Sequence, residues 1–149
     1  MTTVYDVPAE KLITKVSRKL EEIEEIGLPA WAAFVKTGVN RGLPPDNPLW
    51  WHTRCASILR RIYMNGPVGI SRLRTAYAGT KNNGSKPHHS ERGSGSILRE
   101  ALKQLEKAGF IESSKDGRLI SPKGQSFLDN TSFEVKTELV KELPALEKY

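Results

Sequence analysis

A mainly α-helical bundle carrying a small β-hairpin, arranged as a winged helix, is the fold this 149-residue sequence predicts, on three observations. Apolar residues recur at helical spacing in separate segments, among them Leu12, Val16 and Leu20 and, later, Leu98, Leu102 and Leu105. Two short apolar stretches, Phe110-Ile111-Glu112 and Leu119-Ile120, flank Lys115-Asp116-Gly117-Arg118, whose Asp-Gly pair is a hairpin-turn signal. Gly109 stops the preceding helix directly before the first of those strands, as a recognition helix passes into a wing. The length suits a single domain over 1–149 with one core.

The elements follow in order. Helix one is predicted from Pro8 to Ile26, with Pro at its start, Gly27 as its stop and Leu12, Ile13, Val16, Leu20 and Ile23 as its apolar face. Its Lys11, Lys15, Arg18 and Lys19 precede Glu21, Glu22, Glu24 and Glu25, an order that opposes the helix dipole at both ends. A neighbouring charged element or a tolerated small cost could account for it. Pro29 opens a short helix to Val35 with Trp31 and Phe34 as its apolar face. After a Gly- and Pro-rich loop, Asp46 or Asn47 caps a strong helix to about Met64, its core face marked by Trp50, Ile58, Leu59 and Ile62. Pro67 to Ile70 is extended, and Ser71 caps a short helix through Ala76. Residues 79–96 have the composition of a flexible basic loop, because they contain no large apolar side chain whose burial could repay ordering. Ser96 caps the helix Ile97 to Ala108. After the hairpin, Ser121-Pro122 starts a helix to about Asn130, an amphipathic segment runs from Glu134 to Leu143, and 144–149 form a charged tail.

Charge narrows the function. The net charge is +6, and it is unevenly placed. Residues 41–103 hold eleven Lys and Arg against three acids, while the rest holds twelve basic and fourteen acidic residues. Eight of the eleven are Arg, which binds phosphate bidentately and stacks on bases as Lys does not. This is the footprint of a nucleic-acid binder. No apolar run approaches the roughly 20 residues a membrane span needs, so no membrane association is expected. The N-terminus lacks signal-peptide blocks, and the single Cys55 allows no internal disulfide, which together favour a reducing, cytosolic setting.

The candidate binding residues lie in that basic stretch. Arg54 and Arg61 are seven apart and share a helix face with Trp51 nearby, while Arg60 lies about 100° back from Arg61. They form either a phosphate-binding face or a solvated one; Trp51 either stacks on a base or belongs to the core. Arg72, Arg74, Arg99 and Lys103 extend the set along the flanking helices. Lys81, Lys86, His88, His89 and Arg92 make the loop either an RNA contact or a plain linker. Gly93-Ser94-Gly95-Ser96 ahead of a helix could seat an anion such as a phosphate. His52 and Cys55 supply two of the four protein ligands a structural zinc takes, so no metal or other cofactor is expected. No nucleophile arrangement, P-loop or dinucleotide fingerprint occurs, and the chain is read as no enzyme.

Several stretches together resemble one family across nearly the whole chain. They are Val4-Tyr5-Asp6-Val7-Pro8, Leu28-Pro29-Ala30-Trp31, the run from Trp50 through Arg61, Tyr77-Ala78-Gly79, Pro87-His88-His89, Arg92-Gly93-Ser94, and Leu119-Ile120-Ser121-Pro122 followed by Gly124. The chain is similar there to the archaeal and eukaryotic small-subunit ribosomal proteins numbered nineteen-e. The resemblance implies a winged-helix-like bundle in the head of the small subunit, in the cytoplasm, that contacts small-subunit rRNA and neighbouring ribosomal proteins and takes part in subunit maturation. A chain of that kind is expected to be monomeric outside the ribosome. The competing reading is a winged-helix DNA-binding regulator, which would dimerise to read half-sites.

Overall fold

The computed structural model describes residues 1–148, along which helices alternate with two short β-hairpins. Helix α1 spans Ala9–Glu21, α2 Trp50–Asn65, α3 Ile70–Ala76, α4 Gly95–Lys107 and α5 Pro122–Glu142. Strands β1 (Gly79–Lys81) and β2 (His89–Glu91) form one antiparallel hairpin, and β3 (Ile111–Ser114) and β4 (Gly117–Ile120) form another. The mainly helical architecture with a wing is as predicted; the second hairpin is additional.

The wing is better built than two strands alone. Val68 bridges Arg118 through a reciprocal pair of backbone hydrogen bonds of 3.1 and 3.0 Å, adding a one-residue third strand between α2 and α3. Gly117 permits this: its φ is +134°, and a Cβ there would lie 2.8 Å from the Val68 carbonyl carbon. The order helix, bridge, helix, helix, hairpin over α2 to β4 is that of a winged helix, with β1–β2 inserted ahead of α4.

Residues 79–96, expected as a flexible loop, are a hairpin plus the start of α4. Gly79 pairs with Glu91, Thr80 with Ser90 and Lys81 with His89. Apolar burial is not what orders it. Its base is tied down by backbone bonds instead: the Gly93 amide donates to the Arg74 carbonyl at 3.0 Å and the Ser94 amide to the Thr37 carbonyl at 3.1 Å.

Boundaries differ from the expected ones for identifiable reasons. α1 ends at Glu21 rather than Ile26, where four glutamates meet the negative end of the helix dipole. α2 begins at Trp50, because the Asn47 side chain closes a turn on the Leu49 amide at 2.9 Å before the helix becomes regular. Ser94, not Ser96, caps α4, its hydroxyl accepting from the Ile97 amide. α3 starts at Ile70 after Gly69, so Ser71 is no cap. The stretch after Pro29 is a 3-10 turn, Ala30–Phe34, whose near-threefold repeat puts Trp31 and Phe34 together on the outside and buries Ala32. The predicted break near Asn130 is absent: Thr131 and Ser132 donate their hydroxyls to the Phe127 and Leu128 carbonyls, both at 2.8 Å, and lie fully buried inside one continuous α5. In the charged tail, Pro144–Lys148 form a further 3-10 turn, and Tyr149 lies outside the described residues.

The core collects Leu12, Val16 and Leu20 of α1, Trp51, Ile58, Leu59 and Ile62 of α2, and Leu98, Leu102 and Leu105 of α4, all essentially inaccessible. Across its rim α5 runs antiparallel to α1 and answers the charge order there. Lys11 pairs with Glu142 at 2.8 Å, Lys15 with Glu138, and Lys19 with Glu134 at 2.8 Å. The hydrogen bond from Lys19 holds the Glu134 carboxyl below the ordinary value near 4.5. A depressed folded-state pKa stabilises fully above the unfolded value and stops doing so as the pH falls through the folded one. Glu134→Gln is therefore expected to cost under about 1 kcal/mol at pH 7, as half-exposed pairs do. Urea melts at stepped pH should show that difference closing as the pH falls below the ordinary carboxylate value.

Candidate nucleic-acid interface

The α2 residues Trp50, Arg54, Ser57 and Arg61 recur in steps of four, three and four, so they line one face of the helix. That face meets Tyr77, just past the end of α3. The Arg54 guanidinium carbon lies 4.2 Å from the Tyr77 ring centroid and that of Arg61 lies 5.7 Å away. The Tyr77 hydroxyl shares a 2.7 Å hydrogen bond with the Ser57 hydroxyl, which fixes the ring between the two arginines. Beside them opens a cleft of about 620 Å³, whose wall includes Arg41, Asn47, Trp50 and Thr53. Burial of the Arg54 guanidinium lowers its pKa, and the charge of Arg41 lowers it further while Tyr77 raises it. Two cations share this cleft with one acid, Asp46.

A second cluster adjoins the first through Tyr77 and Gly93. A Cβ on Gly93 would lie 3.1 Å from the Tyr77 carbonyl oxygen, so this close approach needs glycine or a shift. Arg74 donates from Nε to the Gly93 carbonyl at 2.9 Å. Arg74 and Arg99 both flank Gly95 at the start of α4, and Arg92 lines the same region. Arg99 and Lys103 are one turn apart on α4, both exposed. Among the described residues, ion pairs join α1 to α5 and none neutralises an arginine of this central face.

The structure thus brings Arg54, Arg61, Arg74, Arg92 and Arg99 onto connected surface. Lys81, Lys86, His88 and His89 stand apart on the β1–β2 hairpin, with Lys86 and both histidines exposed and His88 Nδ1 3.2 Å from the Lys81 carbonyl. Arg72 is exposed on α3, and its neighbour Leu73 is buried. Arg60 is half-buried on another side of α2, its Nε without a hydrogen-bond partner among the described residues.

Trp51 is corrected: it is a core residue and no stacking platform. It has no exposed surface, and its indole meets Trp31 and Trp50 edge-on, with centroids 6.2 and 5.5 Å away. Its Nε1 donates to the Gln104 Oε1 at 2.8 Å. That amide also donates to the Gly27 carbonyl at 2.8 Å, tying α2 and α4 to the turn after α1. Sequence reasoning missed Tyr77 as the hub of the face and missed Trp50 and Ser57. The spacing of Trp50 with Arg54, Ser57 and Arg61 was the available signal. Cys55 is buried, which pushes its thiol up to about 12, and among the described residues no cluster of His, Cys, Asp and Glu could hold a metal. No helix of the described residues is long and apolar enough to cross a membrane.

Such a surface can hold phosphates along its arginines and offer ring faces beside them. The model of the family described as ribosomal protein S19e matches residues 3–138. A small ribosomal subunit protein eS19 from Haloarcula marismortui is 45% identical, covering 100% of this chain and 99% of the relative. One of the same name from Aeropyrum pernix is 46% identical over the same shares. The protein eS19A of Schizosaccharomyces pombe is 39% identical over 91% of this chain and 95% of its own length. With a family match across most of its length and relatives this similar, the chain belongs to the S19e family of ribosomal proteins.

Proposed function

We propose that this chain binds small-subunit rRNA through the face centred on Tyr77, contacts neighbouring ribosomal proteins, and takes part in maturing the subunit. It is a structural constituent of the small ribosomal subunit in the cytoplasm, and not an enzyme. Outside the ribosome it is monomeric. The observation that carries the RNA reading is the convergence of Arg54, Arg61, Arg74, Arg92 and Arg99 with no carboxylate paired to them among the described residues. Arginines left unneutralised on folded surface await an anion, and a chain of phosphates supplies several at once. Membership of a ribosomal family sets aside the DNA-binding regulator.

The β1–β2 hairpin carries Lys81 and Lys86 apart from this face, with Arg92 of the face at its base. Replacing all three by Ala is expected to flatten the salt dependence of binding to small-subunit rRNA, by a log–log slope somewhat under one for each phosphate no longer held. The thermal midpoint should barely move, because none of the three is a core residue. Titration of wild type and triple variant between low and high salt makes the measurement. A wild-type protein that does not bind this RNA would overturn the function; an identical slope would remove the hairpin from the interface.

A further inference from the structure

A second cleft, of about 450 Å³, is lined by both residues of the Gly38–Gly93 bridge. Phe34, Val39, Arg74, Arg92, Gly93 and Ser94 line it together. Phe34 is 86% exposed and Val39 57% exposed. In the 3-10 turn that carries Phe34, Ala32 provides the buried contact, so the phenyl ring contributes little to the core. The Nε bond to the Gly93 carbonyl fixes the plane of the Arg74 guanidinium beside the cleft. Arg92 is exposed, Lys36 adds a third cation, and among the described residues no acidic one lines the cleft.

The complementary ligand has a flat apolar face joined through a short link to an anion. A nucleotide has that form: the base stacks on an aromatic ring and the phosphate meets guanidinium. We propose that this cleft takes one unstacked nucleotide of single-stranded RNA, with its base against Phe34 and its phosphate toward Arg74 and Arg92. Inside a duplex both faces of a base are already covered, so the occupant is a looped-out or single-stranded residue. A neutral apolar protein surface would leave three cations facing nothing. This inference rests on the rRNA-binding reading and adds a base-stacking position distinct from the Arg54 cleft.

The test uses the intact chain and two probes of equal length, a mixed-sequence single-stranded RNA and an abasic ribose-phosphate strand. Phe34→Ala is expected to weaken binding of the RNA about 5- to 150-fold, the range for loss of one aromatic stack. Its affinity for the abasic strand should stay within about twofold of wild type, since the phosphate contacts remain. Phe34→Tyr should restore most of the RNA affinity, and all variants should melt with wild type because the ring is exposed. Equal weakening on both probes would overturn the proposal. So would unchanged RNA affinity, including the case in which Phe34→Ala instead impairs docking of a neighbouring ribosomal protein. If wild type binds small-subunit rRNA and Phe34→Ala behaves identically on the RNA probe, only the stacking site fails; if wild type binds neither rRNA nor probe, the rRNA reading fails and takes the site with it.

Discussion

Trp51→Ala is expected to lower the unfolding free energy by about 3–5 kcal/mol, the cost of emptying a large buried aromatic site. That is a large fraction of the roughly 5–15 kcal/mol that holds a domain folded. Trp51 has no exposed surface and fills the space between Trp31, Trp50 and α4. The substitution also removes the indole donor from Gln104, whose amide ties α4 to the turn at Gly27. Trp51→Phe keeps most of the volume and deletes that donor, so it should cost about 1–3 kcal/mol. Urea melts followed by circular dichroism read both. An unchanged midpoint for the alanine variant, with weakened RNA binding instead, would return Trp51 to the surface role that its sequence context also allowed.

Arg54→Glu should have the opposite profile. The guanidinium sits 4.2 Å from the Tyr77 ring centroid beside Arg41, in the cleft between α2 and the loop before it. Reversal replaces a cation that can hold phosphate in a bidentate bond with an anion that repels it. Affinity for small-subunit rRNA is expected to fall tenfold or more, about 1.4 kcal/mol per decade. Stability should fall only modestly, since the cation–π interaction it removes is worth about 0.5–2 kcal/mol. Arg54→Lys keeps the charge and loses the planar fork, so its affinity should lie between the other two. Thermal melts run beside the binding curves separate the effects. A melt lowered as far as that of Trp51→Ala would make Arg54 a structural residue.

Periodicity carried most of the fold because burial on one helix face is a local pattern. Leu98, Leu102 and Leu105 were legible as a core stripe, and Asp116-Gly117 as a turn. The β1–β2 hairpin was not, because it is held by backbone bonds to Arg74 and Thr37, which leave no trace in apolar spacing. Nor was the unity of α5, since the hydroxyl bonds of Thr131 and Ser132 override weak helix propensities. The charge order of α1 is intelligible only with α5 antiparallel beside it. At the interface, composition located the basic stretch and Arg-rich α2, but assigned the wrong tryptophan to the surface. Adjacent residues on a helix point about 100° apart, so choosing between Trp50 and Trp51 needs the position of the neighbouring helices. Tyr77 stood out only as part of a motif, because its role depends on α3 bringing it against α2.

Whether rRNA lies on this face can be read by arginine labelling with a dicarbonyl reagent and mass spectrometry, on the free chain and on assembled small subunits. Arg41, Arg72, Arg92 and Arg99 are exposed in the folded chain, and so is Arg18 on α1, away from the central basic stretch. If the face around Tyr77 and the start of α4 holds rRNA, Arg41, Arg92 and Arg99 lose most of their reactivity in the subunit while Arg18 keeps more of its own. Central arginines that stay reactive in the subunit while Arg18 is protected would contradict this placement and put the rRNA against α1 instead.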